Sequence, residues 1–182
     1  LPAWASGREH RGGQRVEQGI FLTSALPGVL LALGLMQAAL ALSRSLGSGA
    51  LYQALLGSGV LLALGYASRF AAEVFAPVRT SVLSMDPRLL ESARLLGAGP
   101  IARFKHVILP SVAPGVAIAF LLGFVAILKE LPVTLLLGGA TGLQTLAFRM
   151  WDRYNEALWH DAGLAGLLLV SAALSMVLVT MK

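Results

Sequence analysis

Glu91-Ser92-Ala93-Arg94-Leu95-Leu96-Gly97, then nine residues, then Val107-Ile108-Leu109-Pro110, is the stretch on which the reading of this chain turns. It sets a short polar helix between two long apolar segments. Asp86-Pro87 opens that helix, since Asp at the cap accepts from exposed N–H groups and Pro at the first helical position loses nothing. Leu89, Leu90, Ala93 and Leu96 then form an apolar stripe, with Arg88, Glu91 and Arg94 pointing outward. Gly97 can take a left-handed conformation and end the helix, and Gly99-Pro100 discourages an early restart. A short helix with one apolar and one charged face suits a groove on another protein. It equally suits the surface of an anionic membrane.

The surroundings decide what solvent the chain lives in. It is 57% hydrophobic and 13% charged, with mean hydropathy +0.77, against about 25% charged for an ordinary soluble domain. So little polar surface cannot cover a globule, so lipid must replace much of the water. The absence of cysteine excludes disulfides, thiolate metal sites and Cys nucleophiles. The formal charge of +5 sits in loops beside apolar spans, where positive-inside bias explains it without nucleic acid. No Met opens the chain, and Arg8-Glu9-His10-Arg11 is unlike a signal peptide. A fragment of a longer membrane protein is therefore expected, with further spans upstream.

Crossing the bilayer takes about 20 mainly apolar residues. Four stretches qualify: Ile20 to Leu42, Tyr52 to Ala72, Val107 to Leu128 and Ala162 to Met181. Without water to satisfy the backbone these must be helices, so the fold class is an all-α polytopic bundle. Arg8, Arg11 and Arg15 precede the first span, and Arg79, Arg88, Arg94, Arg103 and Lys105 lie between the second and third. The loop from Ser43 to Leu51 has only Arg44, and Lys129 to Asp161 has more acids than bases. Residues 1–19 and the 86–110 loop are thus expected in the cytoplasm, with the transmembrane domain running over 20–182.

Within the spans, Gly59, Ala63, Ala67 and Ala71 make a small-residue stripe fit for close helix packing, and Pro27-Gly28 marks a bend. Lys129 and Glu130, at the outer end of the third span, either line an outer gate or snorkel to the interface. Leu143, Leu146, Ala147, Met150, Trp151, Tyr154, Ala157 and Leu158 follow helical spacing and describe an outer amphipathic helix. It either receives a partner or anchors in the interface, and its charges allow Arg149–Asp152 and Arg153–Glu156 pairs. Tyr154, Glu156, His160 and Asp161 are spaced too loosely for a metal site. His106 reads as a solvated loop histidine, and Arg69 and Glu73 as a mutual pair near the inner end of the second span.

The Glu91–Pro110 stretch resembles the loop by which permease subunits of ATP-binding-cassette importers grip their ATPase. The family pattern is E-A-A, three residues, G, nine residues, I-x-L-P; Ser92 and Val107 depart from it by small or isosteric changes. Lys129-Glu130-Leu131-Pro132-Val133-Thr134-Leu135-Leu136-Leu137 resembles the K-E-L-P-A-T-L-L-L run of ferric iron permeases, with Val133 for Ala. Ala25-Leu26-Pro27-Gly28 and the residues to Leu35 look similar to the same group. The resemblance implies a multi-pass permease of the bacterial inner membrane, with Arg88, Glu91, Ser92, Ala93, Arg94, Leu96, Gly97 and Pro110 coupling to the ATPase. Lys129, Glu130, Pro132 and Thr134 would belong to a periplasmic gate. It also implies an upstream permease half in the same chain, a cytoplasmic ATPase that holds the ATP, and a periplasmic binding protein that delivers ferric iron. The permease itself would hold no cofactor.

The residues bear on rival classes too. Ser24, Gln37, Gln53, Ser58, Ser68 and Ser171 are the main polar groups in the expected spans. That is poor material for an intramembrane enzyme, and an ion-coupled secondary transporter calls for charges in mid-span. No G-x-x-x-x-G-K-[ST] occurs, so a phosphate loop must be supplied by another chain. Thiamine, polyamine, sulfate or phosphonate remain alternative cargoes on the same scaffold, because fold does not fix cargo.

Overall fold

Pro27 and Gly59 divide the first half of the chain more sharply than hydropathy suggests. The computed structural model describes residues 11–180, with side chains from residue 17 onward except Ala140. Arg8, the side chains of Arg11 and Arg15, and Met181 lie outside the described residues. The helices are α1 (Arg11–Ala25), α2 (Gly28–Ser45), α3 (Gly49–Gly57), α4 (Val60–Leu83), α5 (Pro87–Leu95), α6 (Pro100–Arg103), α7 (Leu109–Leu128), α8 (Pro132–Leu137), α9 (Leu146–Asn155) and α10 (Trp159–Thr180). No strand occurs among the described residues. Four helical segments are long and apolar enough to cross a membrane: Gly28–Ser45, Val60–Leu83, Pro100–Leu128 and Trp159–Thr180. The all-helical expectation holds; the limits of the spans move.

The expected first span is two helices. Pro27 has no N–H to donate and biases Leu26 away from helical geometry, so α1 stops at Ala25 and α2 starts afresh. Part of the segment expected to be cytoplasmic, residues 11–19, is thus helical and packs along α4. Glu17 pairs with Arg79 at 3.1 Å, and Ser24 Oγ accepts from the Ala72 N–H at 3.2 Å.

The second span also differs. Gly59, at φ +75°, stops α3 and lets α4 set off in a new direction. Helix α4 then runs past Ala72 to Leu83, through Glu73, Pro77 and Arg79, whose polarity ended the span on hydropathy alone. Arg69 and Glu73 consequently straddle the middle of α4 rather than its inner end. They do not pair: an Arg69 guanidinium N–H donates to the Ser24 carbonyl, and Glu73 Oε2 is buried without a hydrogen-bond partner.

Small residues do bring helices together, but not the ones expected. Ala63 and Ala67 are exposed, and Ala67 and Ala71 line an open apolar groove with Phe70 and Val74. Close approach occurs instead at Gly65 against Val133 and Leu137, and at Gly115 and Gly123, where α7 meets α4. A Cβ on Gly115 would fall 2.8 Å from the Pro77 carbonyl oxygen. Helices in lipid gain their attraction from such backbone proximity. The core gathers Ala32, Ala39, Leu56, Leu61, Leu62, Val133 and Leu137 from α2, α3, α4 and α8.

Candidate functional site

The α5 helix is built by local signals at both ends. The Asp86 side chain accepts the Arg88 N–H at 2.9 Å, and Pro87 occupies the first turn. At the other end Gly97 sits at φ +77°, with Ala98 N–H donating to Ala93 O at 3.0 Å and Gly97 N–H to Arg94 O at 2.9 Å. That paired closure is a Schellman motif, which needs a residue with little penalty for positive φ. No atom crowds the Gly97 α-carbon, so conformation and not space demands glycine there.

One face of α5 is anchored. Leu90 and Ala93 are buried, as is Met85 just upstream; burying a leucine contributes about 1.5–3 kcal/mol. Arg88, Glu91, Ser92 and Arg94 are exposed. The stripe expectation fails at Leu89, which is 49% exposed, and at Leu96, which is 86% exposed, so neither belongs to the buried face. At Leu96 the cause is geometric: it is the C-cap, one residue past the regular helix, where the 3.6-residue period no longer holds. Leu95 at 89% and Ile101 at 82% are equally exposed, and helical spacing gave no reason to single them out. Three exposed apolar residues thus lie within four positions of Gly97 along the chain, with exposed Glu91 and Arg94 before them.

Beyond it, Pro100 restarts the chain as α6, which passes through a π-helical turn over Phe104–Ile108 into α7. Pro110, lacking an N–H, stands at the entry to α7, and Pro100–Leu128 forms one continuous 29-residue helical segment. His106 is exposed, its Nδ1 3.0 Å from the Ala102 carbonyl oxygen.

The run from Lys129 to Leu137 behaves differently. Lys129 is exposed and Glu130 half-buried, whereas Val133, Thr134 and Leu137 have no measurable exposure. Glu130 Oε1 accepts the Val133 N–H at 3.3 Å and so caps α8, lying against Gly28 at the start of α2. The Thr134 hydroxyl donates to the Glu130 carbonyl at 3.0 Å and is also hydrogen-bonded to the Tyr66 hydroxyl. Of the four expected gate residues, Thr134 is therefore buried in the packing between α4 and α8. Tyr66 is half-buried and begins about 9 Å along α4. It was missed because only the fold brings it to Thr134.

In α9, Thr145 caps the helix by accepting the Phe148 N–H at 3.2 Å. The Arg153–Glu156 pair forms at 2.8 Å, while Arg149 does not pair with Asp152. Tyr154 meets Trp159 edge-on, ring centroids 5.0 Å apart.

These features have counterparts in known proteins. The family described as "Binding-protein-dependent transport system inner membrane component" matches residues 4–181. The chain is 28% identical over 150 residues to the Fe(3+)-transport system permease protein FbpB 2 of Haemophilus influenzae, covering 82% of this chain and 28% of that protein. It is 32% identical over 173 residues to the maltose/maltodextrin transport system permease protein MalG of Photorhabdus laumondii, covering 91% of this chain and 55% of that protein. MalG of Escherichia coli is 37% identical over 87 residues, 47% of this chain and 29% of that protein. The chain spans about half the length, or less, of these curated relatives. With a match that runs from residue 4 to residue 181, the chain belongs to the family of inner-membrane components of binding-protein-dependent transport systems.

Proposed function

We propose that this chain is the membrane-embedded part of an ATP-driven importer, with the 86–110 loop as its contact to a separate cytoplasmic ATPase. The observation that carries this reading is the exposure of Leu95, Leu96 and Ile101, close to Gly97 in the chain, together with exposed Glu91, Ser92 and Arg94 on a helix capped at both ends. Such a knob fits a groove on a partner, and its continuity with α7 through Pro100–Leu128 allows a push on the knob to move a span. A periplasmic binding protein would deliver the cargo, and the spans would open alternately to each side.

Ferric iron is the cargo we favour. Its support is the Lys129–Leu137 run together with similarity to a protein named as an Fe(3+) permease over 82% of the chain. The similarity to MalG makes maltodextrin the competing cargo. In this reading the permease is a weak transit surface, and the binding protein carries the iron ligands.

The test is ATP hydrolysis by the full-length permease with its ATPase in proteoliposomes, given ferric-loaded, maltose-loaded or apo binding protein. Stimulation by the ferric-loaded form alone supports both parts of the proposal. Stimulation by the maltose-loaded form keeps the importer and removes iron, and none from any form removes the importer reading. Glu91→Lys and Gly97→Val should uncouple hydrolysis from uptake while the protein still inserts. Ser92→Cys, the only cysteine in this otherwise Cys-free chain, should crosslink to a cysteine placed in the ATPase groove.

A further inference from the structure

Between α9 and α10 lies a cavity of about 200 Å³ with both charged and apolar residues in its lining. Arg149, Arg153 and Asp161 are the charged ones; Leu146, Leu164 and Leu168 are among the apolar ones. The charges do not satisfy one another. Arg153 donates to Glu156 at 2.8 Å, while among the described residues no ion pair joins Asp161 to either arginine, and the Arg149 guanidinium has no ion-pair or hydrogen-bond partner. Opposite charges that share a cavity without closing on each other leave space for a group with both signs.

The surroundings say where that group comes from. Helix α10 buries only Ala162 and Ala165, and Leu164 and Leu168 are 60% and 50% exposed. Trp159 and Tyr154, packed edge-on at the start of α10, are the amphipathic rings that mark a membrane interface. Asp161 sits just inside that mark, and Leu168 lies about 10 Å further along the span. One face of the cavity is therefore at headgroup level and the other runs into the acyl region.

We propose that this cavity binds a glycerophospholipid with a primary-amine headgroup. The phosphate meets the Arg149 and Arg153 guanidiniums, the ammonium donates to the Asp161 carboxylate, and an acyl chain lies along Leu164 and Leu168. Arginine suits a phosphate because its planar fork presents parallel donors. A simple anion has no use for Asp161, and an acidic peptide has none for the leucines of the lining.

The experiment is native mass spectrometry of the purified full-length permease released from nanodiscs of equimolar phosphatidylethanolamine, phosphatidylcholine and phosphatidylglycerol. The expected result is retention of the ethanolamine lipid over the choline lipid by about five-fold, near 1 kcal/mol. The choline headgroup has no N–H to give Asp161, so Asp161→Asn should bring the two to parity. Arg149→Gln should reduce retention of both, and Arg149→Lys should restore part of it; circular dichroism checks that each variant is folded. Equal retention in the wild type, preference for the glycerol lipid, or an unchanged ethanolamine preference in Asp161→Asn would overturn the site. Displacement of the lipid by soluble phosphorylethanolamine would overturn the acyl groove.

Discussion

The helices α5 and α8 are both short and both start with proline, yet they are stabilised in opposite ways. Helix α5 is held at its ends, by the Asp86 cap and the Gly97 closure, and turns most of its side chains to the outside. Helix α8 is held by its neighbours along one face: Val133, Thr134 and Leu137 are sealed against α2 and α4, and Glu130, which accepts the Val133 N–H, itself rests on Gly28. The first is a local structure displayed by the fold, the second a structure that exists because of the fold. Substitutions should therefore separate them, stability falling with α8 and signalling with α5.

The largest contrast is expected from placing a charge in each. Val133→Lys buries an unpaired ammonium and should cost upward of about 4 kcal/mol, seen as loss of the monodisperse peak in size-exclusion chromatography. Leu95→Lys, at an 89%-exposed position, should keep that peak, with stability changed by less than about 0.5 kcal/mol, while ATP-driven uptake falls. Equal damage from both would end the contrast.

Next comes the helix contact nearest the loop. Gly115→Leu forces atoms into the Pro77 backbone and Ser81, and overpacking of this kind costs about 1–3 kcal/mol. Thermal unfolding in detergent should shift down accordingly, whereas Gly97→Leu should leave the midpoint near wild type and act on coupling.

The hydroxyl pair of Tyr66 and Thr134 sharpens the account of α8. Thr134→Val strands the Tyr66 hydroxyl and should cost about 1–2 kcal/mol. Adding Tyr66→Phe should recover part of that loss, because neither side then keeps an unmet group. A double-mutant cycle in urea or heat reads the coupling, and strict additivity would mean that the bond contributes nothing.

The smallest effects concern the stops. Gly97→Ala should destabilise the end of α5 by about 1 kcal/mol, seen as faster amide exchange at Gly97 and Ala98 with the global midpoint unmoved. Ala157 ends α9 in the same left-handed conformation, at φ 59°. Ala157→Gly should therefore stabilise that turn by about 1 kcal/mol, with slower exchange at Leu158, whose N–H closes the motif onto Arg153 O.

The same contrast explains what was readable from residues alone. Asp86-Pro87 and Gly97 act over a few residues, so the limits of α5 are legible in the sequence, and Leu90 and Ala93 are recognisable as its inner face. Leu95 and Ile101 are not legible as exposed, because Leu95 closes α5 in its last turn and Ile101 lies in the four-residue α6, stretches too short for periodicity to fix a face. The Lys129–Leu137 run stands out by its resemblance to a family pattern, yet Glu130 caps α8 and Thr134 is a buried link, roles set by Tyr66 and Gly28 far away in sequence. Hydropathy located all four spans but misjudged their limits at Pro27, Gly59 and Glu73. There single residues stop a helix inside an apolar run, or let one continue through a polar stretch.

The π-helical turn at Phe104–Ile108 has a consequence for aim. It spends one residue more on a turn than an α-helix does, and each α-helical residue advances the azimuth by about 100°. Everything upstream of it, including Ile101 and the α5 knob, is rotated by that amount relative to α7 from where an unbroken helix would point it. Rewinding the same residues as a regular α-helix would swing the knob to another compass bearing, whereas deleting one residue within 104–108 lets the segment regularise and should keep the bearing, with every side chain of α5 unchanged. The direction in which α5 points is stored in the winding of one turn rather than in the chemistry of any one side chain.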